Sequence, residues 1–534
     1  MRRQGVRIHG EGYKGYMSSD PDAIVIGSGP NGLSAAVTLA RAGLSVRVYE
    51  RNATYGGGMR TEPVTLPGFE HDICSAVHPL AFASGFFRRF EIEKRVPFIV
   101  PPASYAHPLD GGRSGVAYRD LERTVDALGV DGPAYRRLLG PLVERADEVA
   151  QFTGSELLRI PRHPLVAARF GLTALTQSGP WWDAFFRTEV PGAMLTGVFA
   201  HSTLRLPSLA GAAAGLTLAT YAHARGWPIP VGGSQRIADA MVADLEAHGG
   251  EVITATDVAS LSELPDARAY VFDTDAASAA RLGEDRLSAS YLRRVNGFRY
   301  ANGVCKVDFA LSGPVPWTDP ELEQTATVHL GGRRESVARS ERQVADGRHS
   351  DDPYVLVAQP SLFDPTRAPA GRHVLWAYTH VPHGSTRDET EAIVRQIERF
   401  APGFRDLILA STVKTAAEMH RYNPNYVGGD ISAGAPSLDQ LIARPVISTE
   451  PWRMPGRGLY LASASAAPGP GVHGLGGYYA ARSALRHEFG IQRMPSLAAD
   501  PSQYADAATT IAAAAGTVGA ETTPVTAVPR LGEI

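Results

Sequence analysis

Residues 22–32 read Asp22-Ala23-Ile24-Val25-Ile26-Gly27-Ser28-Gly29-Pro30-Asn31-Gly32. Ala23 to Ile26 form a short apolar run, the pattern of a strand buried on both faces, and it ends directly in Gly27, Gly29 and Gly32 at GxGxxG spacing. Each glycine has a mechanical task. The first allows a tight strand-to-helix turn, the second lets a pyrophosphate approach the backbone, and the third permits close packing of helix on strand. The following helix carries Leu33, Ala36, Val37 and Ala40 at helical spacing and stops at Gly43, a suitable left-handed cap. Its free N-terminal N–H groups would face phosphates.

In a chain with 55 glycines the motif alone is weak evidence. Its context strengthens it, because a second strand, Ser45 to Tyr49, ends in Glu50 near the distance expected of a carboxylate that accepts ribose hydroxyls. The next stretch, Arg51-Asn52-Ala53-Thr54-Tyr55-Gly56-Gly57-Gly58-Met59-Arg60-Thr61, resembles the FAD-containing amine oxidase and phytoene desaturase superfamily. In that family a Gly-Gly pair, here Gly56 and Gly57, lets the backbone wrap the FAD pyrophosphate. The family usually has Arg at the next position; this chain has Gly58, with Arg60 two residues on.

The resemblance extends from about Asp22 to Phe489 and returns at two further segments. In the first, Trp227-Pro228-Ile229-Pro230-Val231-Gly232-Gly233-Ser234, a Pro-x-Gly-Gly element opens a helix, Gln235 to Ala247, and the next strand, Glu251 to Thr256, implies Val258 beside the adenine. Tyr270 to Asp273 reads as another strand of the same domain, with a helix near Ala276. In the second, a strand at Leu459 to Ser463 leads through Gly469, Gly471, Gly474 and Gly477 into a helix at Tyr478 to Leu485. Family likeness implies that this helix points its N-terminus at the flavin N1 and C2 carbonyl, where reduction places negative charge. Gly469-x-Gly471-x-x-Gly474 repeats GxGxxG, but no complete βαβ unit with a ribose acid follows, so it is not read as a second nucleotide site.

Length and composition set the bounds. A chain of 534 residues with 44% apolar and 20% charged residues can bury a large core in two or more domains. A net charge of -3 gives no reason to expect nucleic acid as partner. The only lysines are Lys14, Lys94, Lys306 and Lys414 against abundant arginine, the signature of a GC-rich, bacterial gene. Cys74 and Cys305 stand far apart without a CxxC, which excludes a redox dithiol, a disulfide framework and a cysteine zinc site. No metal-ligand pattern is present. Residues 1–20 carry no apolar run after Arg2 and Arg3 and read as a disordered extension, so the expected location is cytoplasmic, with room for peripheral membrane contact. Leu206 to Ala224, the longest uncharged run, is too rich in Ala, Gly, Thr and Ser to span a membrane and reads as a buried helix.

The fold expected is a discontinuous α/β FAD-binding Rossmann-like domain of the glutathione-reductase type, from residues 21–104, 225–285 and 441–490, with an inserted α+β substrate domain from 105–224 and 286–440. The first insert reads as helical and aromatic, with Trp181, Trp182, Phe185, Phe186 and Phe199; the second as strand-rich, with strands at Val304 to Leu311, Tyr354 to Val357 and Val374 to Thr379 and a helix at Asp388 to Phe400. Arg333 to Asp352 reads as a mobile loop. Met419 to Asp430, Met-His-Arg-Tyr-Asn-Pro-Asn-Tyr-Val-Gly-Gly-Asp, is either a turn-rich loop or a wall on the substrate side. It resembles a segment in the superfamily branch that bears the name pyridine nucleotide-disulfide oxidoreductase domain-containing protein 2. Residues 491–534 read as a flexible tail, with a helix between Tyr504 and Ala515 left open.

The function implied is FAD-dependent oxidation: removal of two hydrogens from a C–C or C–N bond of an apolar small molecule, hydride passing to flavin N5 and electrons onward to dioxygen or a quinone. Cofactor-binding candidates are Gly27, Gly29, Pro30, Asn31, Gly32, Glu50, Arg51, Gly57, Gly58, Met59, Arg60, Val258, Gly471, Gly474 and Gly477. His78 and His473 are candidate catalytic groups from their nearness to the FAD motifs. The segment Glu70-His71-Asp72 to His78-Pro79 admits an acid/base reading or purely local hydrogen bonding. Flavin amine oxidase and flavin-dependent isomerase or saturase chemistry are the alternatives, with a flavin-free prenyl-lipid binding protein as the non-enzymatic one.

Overall fold

The computed structural model describes residues 20–500. Along the chain come β1 (Ala23–Ile26), α1 (Pro30–Arg41) and β2 (Val46–Tyr49). A hairpin follows, β3 (Ala103–Leu109) and β4 (Arg113–Tyr118), then the helices α2 (Pro164–Thr176), α3 (Val190–Phe199) and α4 (Leu209–Ala224). The chain returns through α5 (Gln235–Ala247), β5 (Glu251–Ile253) and β6 (Ala269–Phe272). It leaves again as β7 (Gly303–Leu311), β8 (Thr327–Leu330), α6 (Arg334–Ala345), β9 (Val355–Ala358), β10 (His373–Val381) and β11 (Ile408–Lys414), and closes with β12 (Leu459–Leu461) and α7 (Leu475–Glu488).

Two sheets carry the architecture. The first has five parallel strands in the order β12-β6-β1-β2-β5, with Ala23 of β1 paired to Val46 on one side and Ala269 on the other. All four residues of β1 are buried, which is why a plain apolar run marks it. The second sheet has seven strands in the order β11-β7-β10-β9-β8-β3-β4, antiparallel except where Val328 of β8 meets Ala106 of β3 in parallel. It packs on α3 and α4 by one face, with Leu195, Val198, Leu216 and Ala219 fully buried there.

α1 and α7 meet at their N-terminal ends, and glycine allows it: a Cβ on Gly477 would lie 1.8 Å from the carbonyl oxygen of Asn31. A Cβ on Gly32 would lie 2.1 Å from the oxygen of Gly27, so the third glycine of the motif is fixed by packing of helix on turn. Gly43, expected as the end of α1, has φ +84°.

Three expectations are corrected. The stretch 333–352 is not a loop: α6 occupies most of it, because Arg334, Val337, Ala338, Glu341 and Val344 recur at helical spacing and are buried. Charge density concealed that period, since two of the buried positions are Arg334 and Glu341. The first insert is not helical throughout but opens with the β3–β4 hairpin, turning at Gly111 and Gly112, both at positive φ. Residues 491–500 do not hang free; Arg41 Nη1 donates to the carbonyl oxygens of Ser496 and Ala498, and Leu497 is buried. The extension 1–19 and the segment Tyr504 to Ala515 lie outside the described residues. No helix among the described residues is long and apolar enough to cross a membrane.

Candidate functional site

A single cavity of about 910 Å³ runs from the glycine-rich turn to the second sheet. One end is lined by Gly27, Gly29, Asn31, Glu50, Arg51 and Val258, the other by His201, Trp227, Leu356, Ala358, Trp376 and Tyr378.

At the first end the backbone is the working part. α1 has no side-chain cap of its own, since its N-cap is Gly29. Asp273, at the end of β6, supplies one instead: its Oδ2 accepts from Gly32 N–H at 2.8 Å. Burial and the nearby Glu50 push the Asp273 carboxyl up to about 7, against the lowering pull of the Gly32 and Gly29 N–H groups. Glu50 is held in place by four donors: Ser28 N–H and Oγ on Oε2, and Asn52 N–H and Nδ2 on Oε1. These four donors match the about four lone-pair positions of the carboxylate, so a ribose hydroxyl would share an oxygen with one of them in a three-centre bond.

Gly57 and Gly58 close the turn opposite. A Cβ on Gly57 would come within 2.8 Å of Gly29 Cα, and one on Gly58 within 2.6 Å of Tyr426 Oη. Arg60 is buried, lies 4.4 Å over the Tyr422 ring, and donates from Nε to Gly57 O. Its Nη2 and the Oδ1 of Asn31 are buried without a hydrogen-bond partner. Buried polar atoms left unpaired cost free energy. Here they line a cavity whose glycine walls leave room for a polar ligand.

The other candidates are placed as follows. Pro30, Gly471, His78 and His473 line the cavity. Gly32, Met59, Gly474 and Gly477 do not reach it: Met59 is core, and a Cβ on Gly474 would meet Phe86 at 2.6 Å. The candidate catalytic groups His78 and His473 are both engaged in hydrogen bonds. His473 Nδ1 accepts from Leu475 N–H at the start of α7 and its Nε2 donates to Gly469 O in the preceding loop, so both nitrogens are occupied by backbone. His78 Nε2 pairs with Ser234 Oγ at 2.8 Å and Nδ1 faces Ser75 Oγ at 3.5 Å. Burial takes both rings down to about 4, so they stay neutral.

The neighbouring pair His71 and Asp72 also serves structure. Asp72 is bound by buried Arg367, by half-buried Thr61 Oγ1 and by the N–H of buried Ser234. His71 pairs with Thr65 Oγ1 and lies 3.5 Å from Asp308, which is itself bound to buried Lys306. Of the segment 419–430, Asn423 to Tyr426 line the cavity, and Asn425 ties it to the first sheet by accepting from Asp275 N–H and donating to Asp273 O. The aromatic cluster of the first insert is not the cavity wall. Trp182 and Phe199 are core, while Trp181 and Phe185 are exposed.

Reading the sequence missed Asp273 and the chamber residues His201, Trp376 and Tyr378. Asp273 had a signal, a carboxylate at the end of a strand that must face the glycine turn. The chamber residues had none, since they converge from segments far apart in the chain. The two cysteines are free, Cys74 on the cavity wall and Cys305 buried in β7, with the Cys305 thiol pushed up to about 12 by burial. They provide no dithiol.

A profile of the NAD(P)-binding Rossmann-like domain matches residues 25–89. The rat pyridine nucleotide-disulfide oxidoreductase domain-containing protein 2 is 25% identical, over 89% of this chain and 95% of its own length. Among solved structures, an oxidoreductase from Methanosarcina mazei aligns with a TM-score of 0.57 and 17% identity, over 87% of this chain and 99% of that one. Cyclohexylamine oxidase from Brevibacterium oxydans aligns with a TM-score of 0.52 and 18% identity, over 87% and 98%. The chain is thus homologous over most of its length to pyridine nucleotide-disulfide oxidoreductase domain-containing protein 2, and its Rossmann-like domain is set in the fold of these oxidoreductases.

Proposed function

We propose that the chain is an FAD-dependent oxidoreductase that removes two hydrogens from a C–N or C–C bond of an apolar small molecule. The observation that carries this is the continuity of the cavity, which joins a dinucleotide turn to an aromatic chamber. The residues present suit FAD: the cradle at Gly29, Gly57 and Gly58 would be filled by any Cβ, and Asn31 Oδ1 and Arg60 Nη2 are buried without partners. Bound there, FAD supplies the two-electron acceptor.

The chain's own residues bind, orient and exclude water. Glu50 accepts ribose hydroxyls, and the N-terminus of α1 meets phosphate charge. Gly471, Val472 and Leu475 bring the start of α7 to the cavity wall. Trp227, Trp376 and Tyr378 are nearly fully buried and give the chamber a dry surface suited to an apolar body. The electron acceptor on this reading is dioxygen or a quinone.

Entry from a membrane surface fits the same geometry. Phe170 and Ala174 of α2 line the cavity, while Leu165 (85% exposed) and Leu172 (62%) lie bare on its outer side beside exposed Arg162 and Arg169. Co-sedimentation with anionic vesicles checks this; equal sedimentation of the parent and a Leu165→Glu, Leu172→Glu variant overturns it.

The main reading is tested by the absorption spectrum of the purified protein, before and after denaturation. A flavin spectrum released on unfolding is expected. A colourless chain that cannot be reconstituted with FAD sinks the proposal and favours a flavin-free lipid binder. Reduction without oxygen, then admission of air, separates a dioxygen-linked oxidase from a quinone-linked enzyme, and an amine panel with peroxide detection separates C–N from C–C chemistry.

A further inference from the structure

A second cleft, of about 630 Å³, opens at the other edge of the first sheet. Arg268 directly precedes β6 and Arg457 lies two residues before β12, so both stand where these strands begin, whereas the glycine turn follows the end of β1 in the same parallel sheet. Arg286 and Arg453 complete the wall, and His487 and Glu488 bring in the end of α7. α7 has 14 residues, and Leu475 at its start lines the large cavity, so the two openings lie about 20 Å apart along that helix.

Four exposed guanidinium groups thus share one cleft, and none of them forms an ion pair among the described residues. Two are seated on aromatic rings: Arg268 lies 4.3 Å over the Phe489 ring and Arg286 lies 4.9 Å over that of Tyr270. A guanidinium held on a ring keeps N–H groups for a ligand and loses less side-chain entropy on binding it. Arg268 Nη2 also donates to Glu488 O, which caps the carbonyl end of α7, the end that by itself repels an anion. The one carboxylate on the wall, Glu488, accepts from Tyr460 Oη at 3.0 Å, and His487 pairs with Glu450 at 3.1 Å. Asp266, Glu284 and Asp285 are exposed and near in the chain but do not line the cleft. Positive charge is therefore in excess on its wall.

A carboxylate of the protein is the ordinary partner of an arginine, and its absence here leaves that role to a ligand. A guanidinium fork matches phosphate oxygens in pairs. A phosphate monoester offers three free oxygens, fewer than one for each fork, and two joined phosphates offer five. None of the exposed large apolar side chains belongs to the segments that form the wall, so the ligand comes from water and not from a lipid surface. We infer that this cleft binds the diphosphate group of a water-soluble small molecule. The inference does not depend on the reading of the large cavity.

The test is calorimetric titration of the purified full chain with inorganic pyrophosphate and with inorganic phosphate at one ionic strength. Pyrophosphate is expected to bind about tenfold tighter or more, because it reaches further charge-assisted contacts. In an Arg453→Ala, Arg457→Ala double variant its affinity is expected to fall about tenfold or more, with melting temperature and flavin absorbance per chain unchanged. An Arg293→Ala, Arg294→Ala variant removes the same charge from exposed positions outside the cleft, and its affinity is expected to fall by less than about twofold. No binding of pyrophosphate, equal affinity for the two anions, an unchanged affinity in the first variant, or an equal loss in the second overturns the inference. A chain purified without flavin would offer pyrophosphate the glycine turn as well. There the disappearance of one of two binding events in the Arg453→Ala, Arg457→Ala variant upholds the cleft, and the persistence of both overturns it, whatever becomes of the oxidoreductase reading.

Discussion

At the nucleotide end of the cavity most of the lining comes from one stretch, Gly27 to Arg60, joined by Val258 and Asp273, and glycines stand there where no side chain fits. At the chamber end His201, Trp227, Leu356 and Trp376 come from four separated segments, and only side chains do the recognising. The first end binds a ligand of fixed shape and charge, which backbone N–H groups and a helix end serve well. On the proposed reading the second has to match one substrate. Its identity therefore lies in long-range packing, which can change without disturbing the first.

That contrast breaks if the same small substitution has the same outcome at both ends. Gly32→Ala places a Cβ 2.1 Å from Gly27 O and 2.9 Å from Asp273 Cβ, both rigid. The expected cost is about 3 kcal/mol, with FAD content near zero. Melting temperature and flavin absorbance per chain measure it; a Gly32→Ala protein that keeps its flavin would end the argument that this turn is fixed by packing. Glu50→Gln keeps the shape and removes the charge. Loss of a charge-assisted bond to ribose predicts FAD binding about ten- to a hundredfold weaker, measured by flavin fluorescence. At the other end, Gly197→Ala sets a Cβ 2.6 Å from His107 Nδ1 and 2.8 Å from His329 Cβ. The expected loss is about 2 kcal/mol of stability with FAD content retained. Loss of flavin from this variant would show that the two ends are not separable.

The same division explains what was legible in the sequence. β1, the glycine turn and Glu50 were readable because together they span about thirty residues and follow period and spacing rules. α6 was not, because its buried face includes Arg334 and Glu341, which polarity assigns to solvent. Arg334 is acceptable there since it donates to Thr196 Oγ1, Trp182 O and Asp183, all from the first insert. His473 poses a related difficulty. Nearness to a cofactor motif does not distinguish a free imidazole from one whose two nitrogens are both bonded to backbone. The chamber was illegible because no local rule connects His201 to His329 across the insertion of a whole returning segment of the Rossmann-like domain.

Asp273 joins the two descriptions, a single side chain that completes the backbone end. Its carboxyl, pushed up to about 7, binds more protons in the folded than in the unfolded chain. It therefore contributes stability that is full below the ordinary carboxylate range and is lost as pH rises through about 7. FAD would bring phosphate charge to the same helix end, adding to Glu50 in disfavouring the ionised form. FAD affinity is expected to fall about tenfold per pH unit above 7, since binding takes up the proton that Asp273 has lost. Asp273→Asn keeps an acceptor for Gly32 N–H and removes the titration, so its FAD affinity is expected to stay level from pH 6 to 8.5. Flavin fluorescence titrations of both proteins across that range decide it. Parallel pH curves would mean that the proton is held elsewhere and that Asp273 is only a helix cap. A level curve in the variant against a falling one in the parent would show that one long-range side chain sets the pH limit of a site otherwise written in consecutive residues.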